Sequence, residues 1–325
     1  MDNVVERQTY TQEISLSRYR VVVLVPCYNE ALTISQVVHS FQAALPEAEI
    51  HVYDNRSTDG TASQARSAGA IVHYEAQPGK GHVVRRMFAD VDADIYVLVD
   101  GDHTYEAGAV RRLIGRLLTE QLDMVVGARR PAKNDSAYRP GHRGGNLFLT
   151  GVVQGLFGRR LTDMLSGYRV MSRRFVKTFP ALSTGFETET ELTIHALEIK
   201  IPFVEEPTLL ASRPQGSESK LKTFSDGWRI LGTALLLFKE VRPFLFFGLN
   251  AIFLAAVSLG LGIPVVATYW TTGLVPRFPT AILAASIMLL AFLSLTCGLI
   301  LDSVARGRLE SKRMHYLSYS APKVP

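Results

Sequence analysis

Ile95-Tyr96-Val97-Leu98-Val99-Asp100-Gly101-Asp102 sets an uninterrupted apolar run against two carboxylates separated by one glycine. The run, rich in β-branched and aromatic residues, predicts a strand buried on both faces that ends abruptly in charge. In an open α/β sheet, ligands bind at the carboxyl ends of the strands, and Gly101 permits the tight turn that brings Asp100 and Asp102 to a common point. No cation lies beside them in local sequence, so the pair asks for one from outside. A hard divalent ion, Mg2+ or Mn2+, held by one or two carboxylates and completed by water and phosphate oxygens, suits this arrangement. The plain alternative is a solvated Asp-Gly-Asp turn, and the neighbouring segments decide between the two.

Upstream, Arg20 to Pro26 is a Val-rich strand followed by Pro-Cys-Tyr-Asn-Glu, after which Leu32, Val37, Val38, Phe41 and Leu45 mark one helix face. Glu49 to Tyr53 is a second strand. It runs into Asp54-Asn55-Arg56-Ser57-Thr58-Asp59-Gly60, a series of turn and capping residues before a helix around Thr61 to Ala68. A third strand, Ala70 to Tyr74, precedes Pro78-Gly79-Lys80-Gly81 and another helix. Strands alternating with helices through short polar loops predict an α/β fold with a mostly parallel sheet and right-handed crossovers. Its carboxyl edge collects Tyr28, Glu30, Asp54, Asp59, Lys80, Asp100 and Asp102, the convergence a nucleotide site requires. Asp59 taken alone reads better as a helix cap. Gly79-Lys80-Gly81 is too short for a Walker loop and lacks its Gly-Lys-Ser/Thr ending, so it offers only a lysine on a flexible loop near phosphates.

The 325 residues, 47% apolar and 9% aromatic, supply a substantial core and exclude a disordered chain. Phe244 to Val266 and Thr280 to Leu301 contain no Asp, Glu, Lys or Arg, and each is long enough to cross a hydrocarbon layer of about 30 Å as a helix. The formal charge of +5 is dispersed, without a basic block or an aromatic stripe, which argues against nucleic acid and leaves phosphate and membrane surface as partners. Cys27 and Cys297 lie in different predicted environments, a sheet loop and a membrane helix, which argues against a disulfide. Met1 to Tyr19 is polar and has no apolar core of the kind a signal peptide carries. Phe224, Trp228, Leu231, Leu235 and Phe238 recur at helical spacing and predict a helix lying in the membrane interface. The expected organisation is a polar segment over 1–19, a catalytic domain over 20–222, an interface helix over 223–242, two transmembrane helices over 243–302 and a basic tail over 303–325. Arg277 alone lies between the spans, whereas Arg306, Arg308, Lys312 and Arg313 follow the second, which places tail and catalytic domain in the cytoplasm of a multi-pass inner-membrane protein.

From about Val21 to Trp228 the chain resembles glycosyltransferase family 2, the inverting enzymes with the GT-A fold, and within it the polyprenyl-phosphate glycosyltransferases of the dolichyl-phosphate mannose synthase type. Pro26-Cys27-Tyr28-Asn29-Glu30 resembles the family's first nucleotide-binding loop, and Asp54 to Gly60 its Asp-Asp-Gly-Ser-x-Asp-x loop, whose first Asp faces the base. Asn55 and Arg56 depart from the usual residues there. Gly79-Lys80-Gly81 is similar to the family's Gly-Lys-Gly turn and Asp100-Gly101-Asp102 to its metal-binding Asp-x-Asp, with Thr104 where the mannose synthases tend to have Gln. Arg129-Arg130, after the strand Met124 to Ala128, resembles Gly-Ser-Arg. Pro131 to Arg143 resembles the access loop, and Asp163 to Arg169 the Asp-x-x-Ser-Gly-Phe/Tyr-Arg segment. Gly185 to Glu191 resembles the acidic helix start that follows, and Arg213 to Lys220 the basic segment leading to the membrane.

The resemblance implies transfer of a hexose from a nucleotide sugar, of UDP-glucose or GDP-mannose type, to a polyprenyl phosphate such as undecaprenyl or dolichyl phosphate. It implies a donor site of Pro26, Tyr28, Glu30, Asp54, Lys80, Asp100, Gly101, Asp102 and Arg213, and metal ligands Asp100 and Asp102. Arg129, Arg143 and Lys220 are expected at the lipid phosphate, since Arg matches phosphate bidentately and Lys offers a point charge, and Asp100, Asp102, Arg129 and Arg143 at the reacting groups. The competing readings are a processive polysaccharide synthase of the same fold, disfavoured because Gln-x-x-Arg-Trp is missing and two spans make a poor channel, and a catalytically silent membrane scaffold, disfavoured by the intact Asp100 and Asp102. Homo-oligomerisation is left open.

Overall fold

The computed structural model describes residues 15–131, 151, 154–155, 162–185, 187–211, 236 and 238–321. Arg143, Arg213, Lys220, the access loop from 132 onward and most of the expected interface helix lie outside the described residues.

The first unit is built on a seven-stranded sheet ordered β3-β2-β1-β4-β6-β5-β7. Its strands are β1 (Val21–Cys27), β2 (Glu49–Asp54), β3 (Ile71–Tyr74), β4 (Ile95–Leu98), β5 (Met124–Pro131), β6 (Arg169–Ser172) and β7 (Phe203–Leu210). Parallel pairing joins β1 to β2 and β4, β2 to β3, and β5 to β7; β6 runs antiparallel between β4 and β5. The continuous apolar run of β1 follows from burial on both faces. Val21, Val23 and Val25 enter the core shared with helices α1 (Ile34–Ala44), α2 (Thr61–Ser67) and α4 (Val110–Thr119), while Val22 and Leu24 are equally buried on the other side. Helix α3 (Lys80–Asp90) lies on that other side, where Phe88 meets Tyr96 of β4 edge-on at 6.2 Å. In α1 the buried residues Ile34, Val37, Val38 and Phe41 keep the helical period, but Leu32 is 68% exposed, because it stands in the turn before the helix begins.

The antiparallel insertion of β6 is pinned by Asp123, which is fully buried in the turn before β5. Its carboxylate takes a bidentate fork from Arg174, with Nε donating to Oδ1 at 3.0 Å and Nη2 to Oδ2 at 2.7 Å, and a hydroxyl bond from Ser172 at 2.7 Å. The Ser172 amide donates back to the Asp123 carbonyl at 2.9 Å. Helix α5 (Arg173–Thr178) starts on the same serine, whose hydroxyl accepts from the Phe175 amide, and α6 (Thr188–Glu198) precedes β7.

The second unit holds α7 (Pro243–Thr272) and α8 (Phe278–Leu317), both long and apolar enough to cross a membrane. In their most apolar windows only 11% and 17% of residues are buried, unlike the core helix of a water-soluble domain. Small residues are prominent among those the two helices bury, Ala251 and Ser258 on one and Ala284, Ala291, Ser294 and Gly298 on the other. Polar contacts hold the seam: Ser258 Oγ donates to the Ala284 carbonyl at 2.7 Å and Asn250 Nδ2 to Ser294 Oγ at 3.0 Å. Helix α8 continues past the apolar stretch to Leu317, supported by the Asp302–Arg306 pair one turn apart.

Replacing Asp123 by Ala strands the buried Arg174 fork and frees β6 from its anchor. The expected loss is about 3 to 5 kcal/mol of unfolding free energy, read as a fall in thermal midpoint that Arg174→Ala shares and that the double variant does not double.

Candidate active site

The carboxyl ends of β1, β2 and β4 form one edge, and contacts between their loops close a circuit around it. Asn29 donates its amide to Ser57 Oγ at 2.9 Å and accepts the Thr58 amide at 2.9 Å, tying the loop after β1 to the loop after β2. The Glu30 amide reaches Thr61 Oγ1 at 2.9 Å. Asp54, buried at the end of β2, accepts the Ser57 amide at 3.3 Å, and Asp59 takes the Thr61 amide and hydroxyl and the Ala31 amide; the N-cap of α2 is Gly60, so Asp59 ties the two loops together rather than standing at the cap position expected of it.

Asn55 carries the circuit onward. Its amide nitrogen donates to the carbonyls of Glu75 and Gln77 at 3.0 and 2.7 Å, and its oxygen accepts the Gly79 amide at 2.8 Å. The departure from the family's usual residue at this position therefore holds the segment before Lys80. Thr33 closes the circuit, donating its hydroxyl to the Gly101 carbonyl at 2.7 Å and to Glu30 at 3.4 Å. Gly101 is needed for space: a Cβ there would lie 2.7 Å from Cys27 Sγ. The positive φ of this turn falls instead on His103, at 56°. Asp102, 6% exposed, accepts the Thr104 amide at 3.2 Å and the Thr104 hydroxyl at 2.6 Å. Pro26 sits in β1 opposite Tyr53, and the Tyr28 ring is 49% exposed at the rim.

Local sequence holds no cation beside the pair, but the fold brings one: Lys80 contacts both Asp100 and Glu189. Lys80 is not on a flexible loop. It opens α3, and a Cβ on either flanking glycine would collide with the carbonyl oxygens of Thr184 or Ser183. Burial alone would lower the Lys80 ammonium, but the carboxylates of Asp100 and Glu189 override it and hold its pKa raised. Gly167 lies so close to Asp100 that a side chain there would strike the carboxylate. Its amide donates to the Tyr105 hydroxyl at 2.9 Å. Glu189 lies in the acidic helix start that resembles the family's, but sequence assigns it no contact, because the helix dipole alone also explains acidic residues in a first turn.

At the end of β5, Arg129 is bound by Asp163 through Nε and Nη2, both at 2.7 Å, and through its amide at 3.1 Å. Arg169 is fully buried and donates to the carbonyls of Ser166, Met164 and Glu189 at 3.0, 2.8 and 2.9 Å. Burial pulls its pKa down to about 10, so it stays charged near neutrality. The arginine fastens the Asp163 to Arg169 segment to the first turn of α6, and with it the backbone that carries Glu189.

Asp100 and Asp102 fit a hard divalent ion as partial ligands. Among the described residues no group of three or more His, Cys, Asp or Glu side chains is placed to hold a metal. Such a pair leaves most coordination positions to phosphate oxygens and water, the pattern of substrate-bridging cations rather than of a closed structural site.

A mostly parallel sheet with an inserted antiparallel strand and a carboxylate pair at its switch edge defines the GT-A class of nucleotide-sugar transferases. The model of Glycosyl transferase family 2 matches residues 22–179. Glycosyltransferase AglJ of Haloferax volcanii is 31% identical over 300 residues, spanning 91% of this chain and 98% of that one. An undecaprenyl-phosphate mannosyltransferase of Micrococcus luteus is 26% identical over 219 residues, 62% of this chain and 87% of that one. Among solved structures, glucosyl-3-phosphoglycerate synthase from Mycobacterium tuberculosis, in complex with Mn2+, UDP and phosphoglyceric acid, superposes with a TM-score of 0.55 at 23% identity, over 68% of this chain and 78% of that one. The chain belongs to glycosyltransferase family 2, and its GT-A fold and glycosyltransferase activity agree with the resemblance seen in its motifs.

Burial would raise the Asp163 carboxyl, but the Arg129 guanidinium outweighs it and holds the pKa below the ordinary 3.8. Its stabilising contribution is therefore complete above about pH 5 and fades as pH falls through and below that ordinary value. The gap in thermal midpoint between the wild type and Asp163→Asn is expected to be wide near pH 7 and to narrow near pH 3.5; a gap that widens in acid contradicts the pairing.

Proposed function

We propose that the chain is an inverting transferase that moves a hexose from a nucleotide diphosphate sugar, of UDP-glucose or GDP-mannose type, onto a polyprenyl phosphate of undecaprenyl or dolichyl kind. The observation that carries the reading is one chain combining the Asp100–Asp102 pair at the end of buried β4 with two exposed apolar helices of membrane-spanning length. Two relatives support it: AglJ aligns along nearly the whole chain, and the Micrococcus enzyme is named for a polyprenyl phosphate.

In this reading Asp100 and Asp102 hold Mg2+ or Mn2+, which neutralises charge on the departing diphosphate when bound. Pro26, Tyr28, Glu30 and Asp54 line the nucleoside side, with Gly101 admitting the diphosphate close to the backbone and Lys80 and Arg213 facing its phosphates. The acceptor phosphate is already anionic near neutral pH, so no general base is required. The protein's task is to hold that oxygen in line with the sugar C1, and one direct displacement inverts the anomeric centre. Arg143 and Lys220 take the larger share of the lipid phosphate, because the Arg129 fork is engaged by Asp163. The catalytic unit faces the cytoplasm, with α7 and α8 crossing the inner membrane and residues after 302 returning to the cytoplasmic side. Membranes carrying the protein, supplied with a panel of radiolabelled nucleotide sugars, move label into the organic phase for one donor; label that stays water-soluble for every donor tells against the acceptor.

Asp100→Asn and Asp102→Asn each lower transfer at least about 100-fold, as expected for removal of an electrostatic stabiliser at the leaving group. Near-normal turnover in both variants, insensitive to a chelator, contradicts the metal assignment. A cysteine near Gly273 labels from outside intact cells and one near Ser320 does not, and the reverse pattern overturns the topology.

A further inference from the structure

Lys80 is a buried lysine placed against the carboxylate that the proposed cation needs. Its side chain is 11% exposed and contacts Asp100 and Glu189, themselves 29% and 6% exposed. The backbone around it is held from several sides: Asn55 accepts the Gly79 amide, and Gly79 and Gly81 press against the carbonyls of Thr184 and Ser183. Glu189 is placed independently, its carbonyl accepting Arg169 Nη2 at 2.9 Å and Thr193 Oγ1 at 3.0 Å. The ammonium is thus shared between a carboxylate at the strand edge and a carboxylate fixed in the first turn of α6. Its four-carbon stem lets the charge shift a few ångströms while the backbone stays fixed.

We propose that Lys80 is a resident counter-ion that makes divalent-cation binding conditional on the nucleotide diphosphate, with Glu189 as the residue that positions it. The inference rests on the functional reading above and adds a binding order to it. A bare divalent ion approaching Asp100 meets an ammonium already in contact with that carboxylate. Two carboxylates, without a third acidic, histidine or cysteine ligand among the described residues, give it little in exchange. A diphosphate changes both sides of this balance. It brings oxygen ligands for the ion and a new anion for the ammonium, which moves off Asp100 toward the phosphates while Glu189 keeps it charged and in reach. Donor and cation therefore enter together, and the empty enzyme holds neither tightly.

A lysine acting only as a structural staple predicts a loss of stability in its variants and no change in how metal and nucleotide depend on each other. The distinguishing measurement is Mn2+ binding to the full-length protein in detergent, followed by the electron paramagnetic resonance signal of free Mn2+, with and without UDP or GDP. The wild type binds Mn2+ weakly alone and much more tightly with one of the two nucleotides. Lys80→Met binds Mn2+ alone at least roughly ten-fold more tightly than the wild type, because a unit positive charge a few ångströms from the ion is gone, and its gain from nucleotide shrinks. Lys80→Arg keeps the charge and stays close to the wild type in the absence of nucleotide. Glu189→Gln shifts the other way, since the ammonium then rests wholly on Asp100, and Mn2+ alone binds more weakly. A Lys80→Met protein that binds Mn2+ alone no more tightly than the wild type, or Lys80→Met and Glu189→Gln shifting in the same direction, overturns the proposal. Mn2+ that binds no form of the protein even with nucleotide present overturns the functional reading beneath it.

Discussion

The contact on which the site's geometry depends is the ammonium of Lys80 between Asp100 and Glu189. Asp100 stands just past the end of buried β4 with its side chain 29% exposed, and the buried ammonium of Lys80 partly offsets its charge from inside the protein. The glycine-flanked backbone of Lys80, anchored by Asn55, keeps that charge where the strand ends. The same ion connects the sheet edge to the first turn of α6, which Arg169 holds through the Glu189 carbonyl. Three separate stretches of chain are thereby fixed around one anionic centre.

The parallel half of the sheet was legible in the sequence. Strands β1 and β4 announce themselves by Val- and Ile-rich runs, and β2 by a short Ile-His-Val-Tyr stretch, each stopped by polar loop residues. Strands β6 and β7 carry no such pattern. In β6 four residues begin with a fully buried arginine, whose compensation by distant carbonyls no local pattern reveals. In β7, Glu205, Glu206 and Pro207 interrupt the apolar pattern, which a strand tolerates only at a sheet edge, and β7 is the edge.

At the site, sequence identified which residues gather but not which of them are already engaged. Lys80 and Asp100 do meet, yet their pairing depends on the packing of Gly79 and Gly81 against Thr184 and Ser183, about a hundred residues away in the chain. An arginine fork suits a carboxylate as well as a phosphate, and at Arg129 Asp163 supplies the carboxylate, a partner that local sequence does not reveal. A cue was present for Lys80: glycines on both sides of a residue signal close backbone approach as readily as flexibility.

The chain thus joins a sheet edge suited to a nucleotide diphosphate to a pair of helices whose apolar residues remain exposed. Both features belong together if the sugar acceptor resides in the membrane. The most direct test is mass spectrometry of the lipid recovered after purified protein is incubated with Mn2+, a polyprenyl phosphate and a donor nucleotide sugar. The account predicts a polyprenyl phosphate heavier by one hexose. Unmodified lipid together with free sugar, or sugar found only on a water-soluble acceptor, would contradict it.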